Sequence, residues 1–332
     1  MCASPLATWT GEHIDICNAV QLHCRSSFRV LSVFGCNRRN KSELWRRDPD
    51  QSVGAIPSYI FQTWRSPSFT DCRPLKVMDM NPDYDYWFFE DDDQRYFMNE
   101  VMADEFDGKL KETYNLISDQ NGAAKADLWR YAVLWKYGGV YLDFDCVCYV
   151  PFDDIIRSAN ASFIVSAAHS EEQQRVERYL KDHGDDNEAM LEWLAIEDPD
   201  HRLRPVQYQF MSSPKHAILT KVIQMICRRV LDKEYQSKLG LHVPQQGHEM
   251  QALTRRVTGP VAFNWGLNDG IMRRKLVKDR DYAIYGAHWK GQCHHYHSWK
   301  AFYGRNDKRY NTLTVPFLKV GDDTMKHNES DG

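Results

Sequence analysis

Short β-prone runs alternate along the chain with stretches of helical periodicity. In residues 56–64 (Ile-Pro-Ser-Tyr-Ile-Phe-Gln-Thr-Trp), Tyr59, Phe61 and Thr63 alternate with Ile60 and Gln62, and Pro57 sits where a strand tolerates proline. An Asn81-Pro turn leads to a second run, Tyr86-Trp-Phe-Phe89, and the acidic residues Glu90 to Asp93 then cap a helix. Between 121 and 146 the pattern becomes helix, glycine stop and strand. Leu128, Tyr131, Ala132 and Trp135 recur at helical spacing. Gly138-Gly139 ends the helix, because glycine accepts the left-handed backbone of a C-terminal cap. Val140-Tyr-Leu142 opens a strand on which Val140, Leu142 and Phe144 point one way, Asp143 and Asp145 the other.

Further on, a turn and short helix follow Pro151, and Ser162-Phe-Ile-Val-Ser166 reads as a strand. Another strand around Gln207-Tyr-Gln-Phe-Met precedes an amphipathic helix over 217–231. This order predicts an α/β fold with a mainly parallel sheet flanked by helices. Residues 1–54 form an extension of uncertain structure, with a possible strand at 28–34 and a basic loop at 37–51. The catalytic domain spans 55–305, with a charged surface insertion at 171–200. A polar tail, 306–332, is partly disordered.

Composition narrows the class. At 332 residues, with 42% hydrophobic and 13% aromatic residues, the chain can bury a full core. A net charge of −4 argues against a general nucleic-acid binder. The nine cysteines are odd in number and scattered, so no disulfide framework or zinc pattern is expected; Cys146 and Cys148 read as buried thiols. No apolar run is long enough to span a membrane, and the start lacks a signal-peptide pattern. A soluble, cytoplasmic protein is expected as the chain stands, with the Golgi lumen open if an anchor is missing. Asn-x-Ser sequons occur at Asn40, Asn160 and Asn328 and matter only in a secretory compartment.

The chemistry concentrates at 121–146. Asp127 and Arg130 share a helical face. Adjacent carboxylates such as Asp143 and Asp145 repel unless a hard divalent cation sits between them and an anionic group, as in a metal-held nucleotide diphosphate. The sequence Lys125-Ala-Asp127-Leu-Trp-Arg130-Tyr131, followed by Tyr137-Gly-Gly-Val-Tyr-Leu-Asp143-Phe-Asp145, resembles the glycosyltransferases with an Asp-x-Asp sugar-binding motif. That family includes the fungal initiating mannosyltransferases and is related to the clostridial toxin glucosyltransferases.

The resemblance implies a GT-A-type fold and a retaining glycosyltransferase. It would move a hexose from a UDP- or GDP-sugar to a glycan, glycolipid or glycoprotein acceptor, with Mn²⁺ or Mg²⁺ as Lewis acid. It assigns Asp145 to the metal, and Asp143 to ribose, sugar or metal. Asp127 and Arg130 go to sugar hydroxyls, and Gln62 and Trp64 to the donor. Phe61 stands where the family usually has histidine, and Gln209 is the nearest match to an asparagine beside the metal. Thr258-Gly-Pro260 matches a loop bordering the acceptor cleft. Towards the C-terminus, His295 and Ser298 are the candidates to complete the metal shell, beside His288, His294 and His297, with Trp299 at the donor. Two other readings fit parts of the chain. One is a haloacid-dehalogenase-type phosphatase with Asp143 as nucleophile; the other is a non-catalytic sugar-binding protein on the same fold.

Overall fold

A computed structural model describes residues 41–46, 55–64, 73–167, 205–287, 293–295 and 314–319. The strands expected at 59–63 and 86–89 form as β1 (Tyr59–Thr63) and β2 (Asp85–Phe89), paired in parallel. β1 also pairs in parallel with β3 (Gly139–Leu142). Beyond β3 lie β6 (Pro205–Ser212), β5 (Phe163–Ala167) and β7 (Ala283–Ala287), completing a six-stranded sheet of order β2-β1-β3-β6-β5-β7. β6 alone runs against its neighbours, antiparallel to both β3 and β5, while β5 and β7 are parallel. The sheet is therefore mainly parallel. A separate two-stranded ribbon pairs β4 (Cys146–Cys148) with β8 (Cys293–His295).

The described helices are α1 (Lys41–Arg46), α2 (Arg73–Met80), α3 (Asp91–Tyr96), α4 (Lys109–Leu116), α5 (Gly122–Tyr137) and α6 (Phe152–Ala159). After β6 come α7 (Ala217–Leu231), α8 (Lys233–Lys238), α9 (His248–Val257) and α10 (Pro260–Arg274). Apolar residues on the two faces of the sheet build two cores. Phe61, Phe89, Trp129, Tyr131, Phe210 and Phe263 pack in the first, under α5, α7 and α10. Ile60, Val140, Leu142, Phe152, Ile164 and Met211 pack in the second, with Val77 of α2 and Ile155 of α6. Burying each large side chain of this kind contributes on the order of 1.5–3 kcal/mol.

α5 is the central helix, with a dozen of its residues buried. Its N-cap is Asn121, whose side chain accepts from the Ala124 amide and also reaches Thr254 Oγ1. It stops at Gly138 as the glycine pair predicts, but not in the left-handed helical region. Gly138 has φ 68° and ψ −166°, an extended conformation open to glycine alone, and Gly139 follows at φ 101°. A Cβ on Gly138 would lie 2.7 Å from the rings of Pro57 and Pro214, and one on Gly139 only 2.6 Å from the Tyr59 carbonyl oxygen. The chain thus enters β3 pressed against the start of β1. The acidic cap at Glu90 also forms, as a reciprocal capping box with Asp93.

Two readings change. Residues 41–46, expected in a loop, form a helix whose Leu44 is fully buried in the first core. Within the expected polar tail, residues 314–319 dock on the body. Phe317 and Leu318 are fully buried there, and the Lys319 amide donates to the Leu116 carbonyl at 2.8 Å. Both segments are too short for their apolar residues to show a period, so their docking is set by tertiary contacts. The strand at 28–34, the insertion at 171–200 and the domain limits at 54 and 305 fall outside the described residues.

Candidate functional site

The site lies where β3 ends. The Asp143 amide still donates to the Tyr208 carbonyl of β6 at 2.8 Å, so the ladder reaches that residue and then stops. Asp143, Phe144 and Asp145 form a tight turn closed by the Cys146 amide on the Asp143 carbonyl at 2.9 Å. The expected alternation of the two aspartates on one strand is therefore replaced by a turn. The turn leaves both aspartates partly exposed while Phe144 is buried. The Phe144 ring stacks on Trp64 with centroids 5.9 Å apart and meets Phe88 edge-on at 5.6 Å. Trp64, assigned to the donor, thus stands beside the aspartate turn.

Gln62, expected at the donor, is held at the base of the aspartate turn. It is fully buried; its Nε2 donates to the Asp143 carbonyl at 3.1 Å and its Oε1 accepts from the Tyr86 hydroxyl at 2.7 Å. Its amide braces the turn from within the protein.

Arg130 joins the two acidic parts of the motif. Its guanidinium is 3.1 Å from Asp127 Oδ1, one helical turn back, and 3.0 Å from Asp143 Oδ1 across the sheet edge. It also lies over the Tyr141 ring, 4.7 Å from the centroid, and donates to the Gln207 carbonyl at 3.3 Å. Burial works against its charge, but Asp143, Tyr141 and Asp127 together hold its pKa above the ordinary arginine value. Burial pushes the Asp127 carboxyl the other way, up to about 6, although Arg130 opposes the shift.

Several partners of this pair were not legible in the sequence. Gln207 Nε2 donates to Asp127 Oδ1 at 3.0 Å, and Thr258 Oγ1 donates to Asp127 Oδ2 at 3.1 Å. The Tyr131 hydroxyl has two acceptors within hydrogen-bond reach for its one proton, the Gln207 side-chain oxygen and the Thr258 carbonyl. The Tyr141 hydroxyl donates to Asp143 Oδ1 at 2.6 Å. Thr258, expected in a Thr-Gly-Pro loop bordering the acceptor cleft, ends α9, and Pro260 takes the first turn of α10. Tyr131 and Tyr141 sit within the motif itself, and no spacing rule distinguishes their role from core packing.

Gln209 behaves unlike Gln207. It is fully buried, and neither its Nε2 nor its Oε1 has a hydrogen-bond partner. An orphaned amide at this depth carries a desolvation cost. Its backbone pairs with Leu142, the residue before Asp143.

Among the C-terminal candidates, only the backbone of 293–295 is described. β8 places His295 opposite Cys146, the neighbour of Asp145, and His294 opposite Val147. His288, His297, Ser298 and Trp299 fall outside the described residues. Cys146 is a free, buried thiol as read from the sequence. Cys148 is not, because it is disulfide-bonded; Cys293 faces it across the ribbon. Residues two apart on one strand bridge poorly, but a residue on a neighbouring strand was invisible to spacing.

Lys125, part of the motif helix, points away from the aspartate turn. Its Nζ lies 2.6 Å from Asp119 and 4.4 Å from the Tyr114 ring centroid, and Lys319 reaches the same Asp119 at 2.9 Å. The 314–319 segment is thereby tied to the loop that launches α5.

The donor set suits a hard cation. Asp143 and Asp145 set two partly exposed carboxylates beside the one guanidinium of Arg130, and their oxygens are of the kind Mg²⁺ and Mn²⁺ take. No third His, Cys, Asp or Glu completes a metal cluster among the described residues.

A family model for the glycosyltransferase sugar-binding region containing the DXD motif matches residues 71–162. Inositol phosphoceramide mannosyltransferase 3 of Schizosaccharomyces pombe is 31% identical over 109 residues, which is 31% of this chain and 28% of that protein. The initiation-specific alpha-1,6-mannosyltransferase of Candida albicans is 27% identical over 208 residues, 60% of this chain and 50% of that protein. The chain thus spans half or less of the length of these relatives. Among solved structures, PaToxG Glycosyltransferase aligns with a TM-score of 0.39 and 14% identity, covering 74% of this chain and 78% of that one. The matched region holds Asp127, Arg130, Asp143 and Asp145 together, and it is there that this chain is similar to the glycosyltransferase sugar-binding region containing the DXD motif.

Proposed function

We propose that this protein is a glycosyltransferase of GT-A type that moves a hexose from a nucleotide-diphosphate sugar to a glycan or lipid acceptor, with retention of configuration and a divalent metal. The observation that carries the reading is Arg130 bridging Asp127 and Asp143 beside the partly exposed Asp145. The motif residues are brought to one place and fixed there by buried partners, as a site needs and a solvated acidic edge does not.

Asp145, with Asp143 beside it, would hold Mn²⁺ or Mg²⁺, and the ion would offset charge developing on the departing diphosphate. His295 is the described position nearest Asp145 on the ribbon, and Ser298 its partner further along. Asp127 and Arg130 stand at the sugar end, where Arg130 keeps Asp143 oriented. Trp64 offers its face to the nucleotide base, Trp299 is a second donor contact, and Gln209 has an amide still free to bond the donor. Gln62 contributes by bracing the turn. Both relatives quoted are mannosyltransferases by name, one acting on inositol phosphoceramide, so mannose donors and a sphingolipid acceptor come first in a screen.

The phosphatase alternative would need Asp143 poised as a nucleophile, but its Oδ1 is engaged by both Arg130 and Tyr141. The site network likewise weighs against a non-catalytic sugar binder.

The test is donor hydrolysis and transfer across UDP- and GDP-sugars, with Mn²⁺, with Mg²⁺ and with EDTA. Turnover that needs metal and is lost in Asp145→Ala supports the reading. Metal-independent turnover, or an active Asp145→Ala enzyme, overturns it.

A further inference from the structure

We propose that Asn160 is an acceptor for an N-linked glycan, carried on the side of the sheet away from the aspartate site, in a protein that folds in an oxidising compartment. The inference does not depend on the proposed activity.

Three observations converge. Asn160-Ala161-Ser162 is a sequon with no proline at its middle position. Asn160 is exposed, at the C-cap of α6, with φ 47° and ψ 45°. It also lies on the rim of an open depression of about 410 Å³ lined by Ser158, Lys278, Asp279 and Tyr285, so a bulky substituent has room there. Independently, Cys148 is disulfide-bonded, and such bonds persist in secretory and extracellular compartments rather than in a reducing cytosol. That favours a secretory address over the cytoplasmic one expected from the sequence.

Left-handed backbone alone would explain an asparagine at a helix end, since asparagine and glycine tolerate it best. It does not call for Ser162. In the folded chain the Ser162 hydroxyl donates to the Asp281 carbonyl at 3.0 Å, so glycan addition would precede the docking of this strand.

The topology keeps a glycan clear of the chemistry. β3 and β5 are both antiparallel to β6 and so run the same way. Asp143 follows the end of β3, whereas Asn160 precedes the start of β5, at the opposite end of the sheet.

In the reaction, the Asn160 amide nitrogen displaces the diphosphate of a polyprenyl-diphosphate-linked oligosaccharide. A bond from nitrogen to the anomeric carbon forms, the anomeric carbon–oxygen bond to diphosphate breaks, and the amide loses a proton. The co-reactant and its transferase belong to the secretory compartment.

The test expresses the full chain through the secretory route of a eukaryotic cell. The purified protein is treated with peptide-N-glycosidase in heavy-oxygen water, and the tryptic peptide 158–175 is sequenced by mass spectrometry. Labelled aspartate at position 160, lost in Ser162→Ala and kept in Ser162→Thr, is expected. Asn160→Gln should leave donor hydrolysis unchanged. An unlabelled 158–175 peptide in secreted protein overturns the proposal, as does alkylation showing Cys148 as a free thiol.

Discussion

Arg130 Nη1 lies 3.0 Å from Asp143 Oδ1, a contact that ties the central helix to the turn carrying both motif aspartates. The same guanidinium holds Asp127, and both side chains of that second pair are more than nine-tenths buried. The charge state of the site and the stability of the fold are coupled through this one residue.

Arg130→Ala should therefore damage both. Removing it leaves Asp127 uncompensated in a buried position and lets Asp143 face Asp145 unneutralised. Loss of one partner of a buried pair costs about 3–5 kcal/mol. Urea unfolding should show a drop of that order, and turnover should fall by at least about tenfold, equivalent to ~1.4 kcal/mol in the barrier.

The Asp127 carboxyl, raised to about 6 mainly by burial, sets a pH dependence. In the unfolded chain it titrates near its ordinary value of 3.8, so between roughly that pH and 6 the folded state holds a proton the unfolded state has released. Its stabilising contribution is full below the unfolded value and is lost as pH rises through about 6. Thermal melts should show wild type losing stability relative to Asp127→Asn over that window. Activity needs the charged form beside Arg130, so the acid limb of the rate profile should have its midpoint near the same pH.

Gln209 separates stability from function. Both of its amide atoms are buried and unpartnered. Gln209→Met keeps the volume and removes that cost, so stability should be unchanged or rise by up to about 1–3 kcal/mol. Donor turnover should fall if the amide bonds the donor. A variant that is both more stable and fully active would show that the amide has no ligand role.

Gly139→Ala tests the entry to β3. Its Cβ would sit 2.6 Å from the Tyr59 carbonyl oxygen, at a φ of 101° that other residues rarely adopt. Backbone strain of this kind costs on the order of 1–3 kcal/mol before the clash is counted. Circular dichroism melts should show a strong loss of stability, and Asp143, four residues on, should lose its register with Arg130, so residual activity should fall further than stability alone explains.

Much of the fold was written locally. The α5 periodicity, the glycine stop, the strands at 59–63 and 86–89 and the helix over 217–231 all appear where the pattern of apolar residues places them. These are short-range choices, set by side-chain period, capping residues and glycine's freedom at positive φ. The grouping of Asp127, Arg130 and Asp143, with Asp145 two residues on, was legible for the same reason, since one helix and the turn that follows the next strand carry all four. The partners of that group were not. Gln207 and Thr258 reach Asp127 from β6 and from the end of α9, and nothing in their neighbourhoods along the chain marks them. Nor does local sequence tell Gln207, whose amide is satisfied, from Gln209, whose amide is orphaned on the same strand. Sequence alone determined which residues carry the charge. The tertiary structure decided which of those charges are buried, paired and held in place, because burial and pairing depend on strands and helices that are distant in the chain.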